Sequence, residues 1–342
     1  MFINKAMSRR GFLKGTIGGA ATLAGLQMLR FRRVAAQSGD EDPPGGMAHA
    51  GPMDESPGQV GFQMQEDDPH DPAKILTDFD TGQVSTLPDG RTLREYEIIA
   101  YDREVEVAKG VTFPAWTYNG RVPGPTIRCT EGDVIRVKFT NASVMPHTIH
   151  FHGIHPANMD GVFEVIQLGE MFTYEFEAQP FGLHLYHCHV MPLKRHIHKG
   201  LYGAFIIDPK AGRPPARELI MVMNGFDTDL DGENEFYTVN GKAFYFQDYP
   251  ISLKVGELVR VYLVNMTEFD PINSFHLHAE MFYYYPAGTS LAPAEYNDNI
   301  MLCQGQRGIL EFTYRTPGRY MFHAHQSEFA ELGWMGFFDV TE

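Results

Sequence analysis

Cysteine is scarce in this chain. Its 342 residues hold three, Cys129, Cys188 and Cys303, too few for a disulfide framework. Basic residues are also short, 28 against 43 acidic, for a formal charge of −15. Nucleic acid is therefore not an expected partner, because phosphate binding needs a basic face. Long apolar runs are missing too. The stretch Gly15–Leu29 is too short and glycine-rich to span a membrane, so no transmembrane segment is expected in the mature chain. Glycine (34), proline (22), phenylalanine (25) and tyrosine (16) are plentiful, a balance that favours strands and tight turns over long helices. The length suits two ordinary domains.

Residues 1–36 read as a twin-arginine signal peptide. Ser8-Arg9-Arg10-Gly11-Phe12-Leu13-Lys14 precedes the modest apolar stretch, and Ala35 and Ala36 offer a cleavage point. The expected destination is the periplasm, the cell surface or the medium. Residues 37–72 are rich in Pro, Gly, Asp and Met without periodicity, and are expected to form a disordered leader.

The remainder uses one unit twice. In the first half, Asn119-Gly120 leads through Gly132-Asp133 into Val134-Ile-Arg-Val-Lys-Phe139. In the second, Asn240-Gly241 leads through Gly256-Glu257 into Leu258-Val-Arg-Val-Tyr-Leu263. Each half then carries His-x-His, at His150 and His152 or at His276 and His278. Each ends on a second such pair after a glycine: His187 and His189, or His323 and His325. The fold class expected is all-β: two Greek-key β-sandwiches, over 73–210 and 211–342, joined near Asp208–Glu218.

Side chains alternate along a strand, so both histidines of a His-x-His face one way. Four such pairs supply eight imidazoles, which suit copper, zinc, iron or nickel. Cys188 narrows the choice. Lying between His187 and His189, it projects to the opposite face, and the same parity sends His147 opposite to His150 and His152. His196, on the loop after Cys188, completes a trigonal His₂Cys set of the blue-copper kind; His198 on the same loop is its rival. Leu201 stands at the axial position, cannot ligate, and is expected to raise the reduction potential relative to a methionine there. Cys129 and Cys303 read as buried small hydrophobes, and His155 and His184 as residues around the site rather than ligands.

Together His147-Thr-Ile-His-Phe-His-Gly153, His187-Cys-His189, Asn273-Ser-Phe-His-Leu-His278 and His323-Ala-His325 resemble the four copper motifs of multicopper oxidases, over roughly residues 95 to 340. The resemblance implies cupredoxin-like domains and four coppers per chain. The type 1 ligands would be His147, Cys188 and His196. Type 2 copper would take His150 and His276, and the type 3 pair His152, His187, His189, His278, His323 and His325. In the second half Asn273, Ala324 and Phe329 stand where type 1 ligands would be needed. That layout is similar to two-domain laccase-like oxidases, which implies a homotrimer with trinuclear sites between chains. The implied partners are dioxygen and a reductant, either a phenol or aromatic amine or a metal ion such as Cu(I), Fe(II) or Mn(II). Copper nitrite reductases resemble the chain around the blue site but carry aspartate where His150 stands; a cupredoxin electron carrier would leave the four His pairs unexplained. Asp160 and Glu331, with Glu328 as the latter's rival, are the acids expected to relay protons.

Overall fold

The computed structural model describes residues Asp68–Glu342. The twin-arginine segment and the leader as far as residue 67 lie outside them. The described residues form 21 strands in four sheets, with four short helices.

In the first sandwich one sheet runs, in spatial order, Phe79–Asp80, Thr126–Thr130, Tyr202–Asp208, Gly182–His187 and His150–Phe151. The other runs Gln83–Thr86, Thr92–Ala108, Val134–Asn141 and Met171–Glu177, with Val111–Tyr118 paired back onto Thr92–Ala108. The second sandwich places Phe236–Val239, Arg217–Phe226, Val259–Asn265, Arg307–Phe312, Phe282–Pro286 and Glu295–Asn297 in one sheet. Its other sheet holds Ile251–Lys254, Met335–Thr341, Gly318–His323, Ile272–Leu277 and Asn299–Cys303. The fold is all-β and cupredoxin-like, as expected.

The duplication is visible bond by bond. Asn119 and Asn240 both hold positive φ ahead of a glycine, a conformation asparagine tolerates in tight turns. Each amide then clasps a neighbouring strand in the same way. Asn119 Oδ1 accepts from the Ile99 N–H at 2.7 Å and its Nδ2 donates to Glu97 O. Asn240 Oδ1 accepts from the Val222 N–H at 2.9 Å and its Nδ2 donates to Ile220 O. Parallel pairing repeats as well, Thr92–Ala108 on Val134–Asn141 and Arg217–Phe226 on Val259–Asn265.

Burial explains where the alternating pattern fails. Val134–Asn141 alternates along most of its length, since one face meets the core and the other water. Gly182–His187 and Val259–Asn265 are buried throughout, because their second face meets the other sandwich. Leu183, Leu185, Ile206, Ile220, Tyr262 and Ile309 belong to that shared apolar seam. The two halves consequently form one compact unit rather than beads on a linker.

Two expectations need correction. The leader does not extend to Pro72. His70 is 1% exposed, its Nδ1 accepting from Val122 N–H and its Nε2 lying 3.2 Å from Glu106 O, while Asp71 caps the helix Pro72–Ile75. A histidine that satisfies buried backbone groups is part of the fold. Cys129 is buried as expected, but Cys303 is exposed, at the end of a strand whose burial alternates. Among the described residues no helix is long and apolar enough to cross a membrane.

Candidate metal centre

The strand Gly182–His187 and the turn after it set the geometry. His187 and His189 leave on one face, their rings stacked with centroids 5.9 Å apart, while Cys188 enters the core of the first sandwich. Cys188 Sγ lies 3.2 Å from His196 Nδ1 and 3.8 Å from His147 Nδ1, and the two Nδ1 atoms are 3.2 Å apart. All three residues are buried. Burial, then His196, pulls the His147 pKa down to about 3; burial, then Arg195, lowers that of His196 to about 4. Both imidazoles turn Nδ1 toward one point beside the Cys188 thiol. A single shared proton cannot serve all three atoms, and His147 Nε2 has no hydrogen-bond partner. The donor set fits a soft metal ion, blue copper above all.

His196, not His198, occupies this position. The short helix Leu193–His198 separates the two, and His198 turns away to accept the Asp227 N–H at 3.1 Å and to pack between Phe113 and Phe269. Leu201 is buried in the same core, its carbonyl accepting the Cys188 N–H. Three further contacts escape sequence reasoning. The Thr148 N–H points at Cys188 Sγ at 3.4 Å, Tyr118 packs its hydroxyl beside the same sulfur, and the Trp116 ring lies 4.8 Å from His196 and 5.2 Å from His147.

On the opposite face His150, His152, His187 and His189 gather, with ring centroids of the other three 5.1, 5.1 and 5.3 Å from that of His150. His152 Nε2 meets His187 Nε2 at 3.3 Å. Burial lowers the His152 pKa to about 3 and that of His187 to about 4. The second sandwich repeats the arrangement. His278 Nε2 meets His323 Nε2 at 2.9 Å, and His276 lies 4.7 to 5.4 Å from the other three rings. Three rings have Nδ1 anchored to a carbonyl in addition to His150: His187 to Cys188 O, His276 to Asp298 O and His323 to Ala324 O. That anchoring leaves each Nε2 free to ligate. Thr148 Oγ1 and Ser274 Oγ hold the backbone N–H of His189 and His325 alike.

Asp160 anchors His150. Its carbonyl lies 2.7 Å and its carboxylate 3.1 Å from His150 Nδ1, and the carboxylate is 3.6 Å from His155 Nε2. Gly161 is obligatory there, since a Cβ would sit 1.9 Å from Ile149 O. Asp298, whose carbonyl plays the same part for His276, carried no motif that would have drawn attention to it. Glu331 ends the helix Ser327–Glu331 in an exposed position, as does Glu328 one turn earlier; among the described residues no hydrogen bond or ion pair joins either to a histidine. His155 Nε2 donates to Phe151 O, and His184 is held between Pro180 O and Arg307.

The second sandwich has no blue-type ligand set among the described residues. Asn273 and Ala324 are buried, and Phe329 stacks on Tyr237 at 3.8 Å. Trp334 fills the interior beside them, fully buried and packed on Phe275 and Phe322.

One mononuclear His₂Cys set and two four-imidazole half-sets, on paired cupredoxin-like sandwiches, define a copper oxidoreductase. Residues 100–212 and 213–342 match two multicopper oxidase family models, and the chain belongs to that family. A solved multicopper oxidase is 60% identical, with TM-score 0.78 over 79% of this chain and 97% of its own. A copper nitrite reductase from Nitrosomonas europaea is 28% identical, with TM-score 0.67 over 73% of this chain and 94% of its own. The copper-containing nitrite reductase of Neisseria meningitidis is 30% identical over 66% of this chain; the match spans 63% of that relative's length.

Proposed function

We propose that the protein is a laccase-like oxidase that couples one-electron oxidation of a reductant to four-electron reduction of dioxygen. The observation that carries this reading is the pair of matching half-sets, eight imidazoles in all, with like nitrogens turned toward each other. A nitrite reductase or an electron carrier has no use for so many. His147, Cys188 and His196 would hold type 1 copper, His150 and His276 type 2, and the six remaining histidines the type 3 pair: four coppers per chain. Bound copper supplies one-electron redox chemistry at the first site and dioxygen binding and reduction at the cluster.

The chain's own residues divide the work. Cys188 is covalently continuous with His187 and His189, so electrons have a short through-bond route from one face of the strand to the other. The buried, neutral ligand pocket and the non-ligating Leu201 favour a high potential. Asp160 holds His150 in one orientation and is the acid placed to pass protons, with Glu331 as the second candidate. The balance is four electrons and four protons per dioxygen, giving two waters.

Neither half-set mixes histidines of both sandwiches in one metal-compatible group, and His278 and His325 are exposed. Completing the cluster therefore falls to a second copy, and a closed homotrimer supplies each site once. The N-terminal twin-arginine segment would direct export of the folded protein. Copper analysis combined with sedimentation tests the assignment. Four coppers per chain in a trimer is the expected result; one or two coppers, or a fully loaded monomer, would contradict it.

A further inference from the structure

The second sandwich grips the first residues of the strand Gly182–His187, whose far end leads into Cys188 and His189. Ala287 O accepts the Leu183 N–H at 2.8 Å, and Arg307 Nε donates to Leu183 O at 2.9 Å. Two further Arg307 bonds go to neutral acceptors, Nη1 to Gly305 O at 3.3 Å and Nη2 to His184 Nδ1 at 3.4 Å. His184 is turned to receive it: its Nε2 donates to Pro180 O at 2.8 Å, which leaves Nδ1 as the acceptor. Among the described residues no carboxylate forms an ion pair with Arg307, and burial is what lowers its pKa. A partly buried guanidinium held only by neutral groups is unusual, since buried charges are ordinarily paired.

That charge stands behind His152. The His152 N–H donates to Leu185 O at 2.9 Å on the same strand, and a Cβ on Gly153 would lie 3.9 Å from His184 Nδ1. The guanidinium is felt at the imidazole: after burial and His187, it is the next influence that lowers the His152 pKa. The second half-set has the opposite neighbour. Asp298 O lies 2.9 Å from His276 Nδ1 and accepts the Leu277 N–H, which places this acid against the second set. Burial and three neighbouring histidines lower the His278 pKa, and the Asp298 carboxylate opposes them. The matching positions His152 and His278 thus stand beside charges of opposite sign.

We propose that Arg307 is a positioning residue for the first half-set: it pins the strand behind His152 and fixes there a positive charge that favours small anions at copper held by His152 and His187. The ligand class is a monovalent anion of a few atoms, such as hydroxide, azide or fluoride. An unpaired cation attracts such a ligand, and a low-dielectric setting enlarges the effect. The same charge favours the negative charge that builds up on dioxygen as it takes electrons. The dioxygen part rests on the oxidase reading above; the anion part needs only copper in the histidine sets.

Azide titration of the copper-loaded protein, followed by the azide-to-copper absorption band, reads the anion affinity. Arg307→Gln is expected to weaken azide binding about tenfold, the effect of one unit charge at moderate dielectric. Arg307→Met, neutral and without a donor, should match it, while Arg307→Lys should stay within about threefold of wild type. Unchanged copper content and blue absorption verify that each variant is folded and loaded. Azide affinity in both neutral variants within about twofold of wild type, or a lysine variant as weak as the neutral ones, would overturn the assignment. Dioxygen uptake at saturating reductant should fall in the neutral variants and be retained in the lysine variant. Uptake that falls equally in all three would overturn the dioxygen part. Azide affinity that follows the charge, with no dioxygen consumed even by wild type, would support the assignment while contradicting the oxidase reading.

Discussion

Trp334 stands to Ala324 as Leu201 stands to Cys188: the later residue's carbonyl accepts the earlier residue's N–H, at 3.2 and 3.0 Å. Each follows a glycine at positive φ, Gly333 or Gly200. Where the first sandwich surrounds a ligand set, the second closes the same space with an indole. Trp334→Ala should therefore cost about 3–5 kcal/mol, as expected for truncating a buried aromatic. Urea unfolding measures it, and the variant should gain no second blue absorption. A cost below about 1 kcal/mol would mean that the indole is not filling that space.

Leu201→Met offers the blue site the thioether it lacks. The variant should keep its blue absorption and show a lower reduction potential in a redox titration, because the axial ligand tunes it. Cys188→Ser should lose the colour while circular dichroism stays unchanged. Colour that survives the serine would remove Cys188 from the site.

Asp160 orders His150 rather than the blue site, so its removal should split the two half-reactions. Asp160→Asn is expected to slow dioxygen turnover about 10–100-fold. Anaerobic bleaching of the blue absorption by the reductant should remain at the wild-type rate. Equal slowing of both would show a general structural defect.

His70 gives a stability signature in pH. Burial, followed by repulsion from Lys242, lowers its pKa from 6.5 to about 3, since the neutral ring serves Val122 N–H and Glu106 O. The folded-state value lies below the unfolded one. This contribution is therefore complete above pH 6.5 and is lost as pH falls towards 3, at roughly 1.4 kcal/mol per pH unit. His70→Gln keeps a donor and an acceptor but does not titrate, so its stability should fall less steeply between pH 6.5 and 4.5. Parallel curves for the two proteins would contradict the buried neutral ring.

Much of this was legible in the chain. Parity alone placed Cys188 opposite His187 and His189, because a strand allows no other outcome, and the repeated Asn-Gly turns announced the duplication. His196 was the expected ligand but kept His198 as a rival, because both ride a short helix whose rotation is fixed by Trp116 and Phe113 from a strand and Phe269 from a loop. Trp116 and Asp298 lay outside every motif, and Thr148 stood inside one only as a spacer, since their roles depend on which strands become neighbours. The reach of the fold back to His70 was hidden by the composition of the leader, which gives no sign of a single buried histidine. Glu331, expected near the cluster from its separation from His325, ends a short helix in an exposed position, as His325 itself is exposed.

The central claim is that copper held by the eight imidazoles would reduce dioxygen rather than nitrite, with electrons from the reductant. Copper-loaded protein supplied with a phenol can be offered both acceptors, with an oxygen electrode and a nitric oxide electrode reading together. The account predicts one dioxygen consumed per four electrons, loss of that uptake in His150→Ala with the blue absorption kept, and no nitric oxide. Nitric oxide released from nitrite, with no dioxygen consumed, would contradict it.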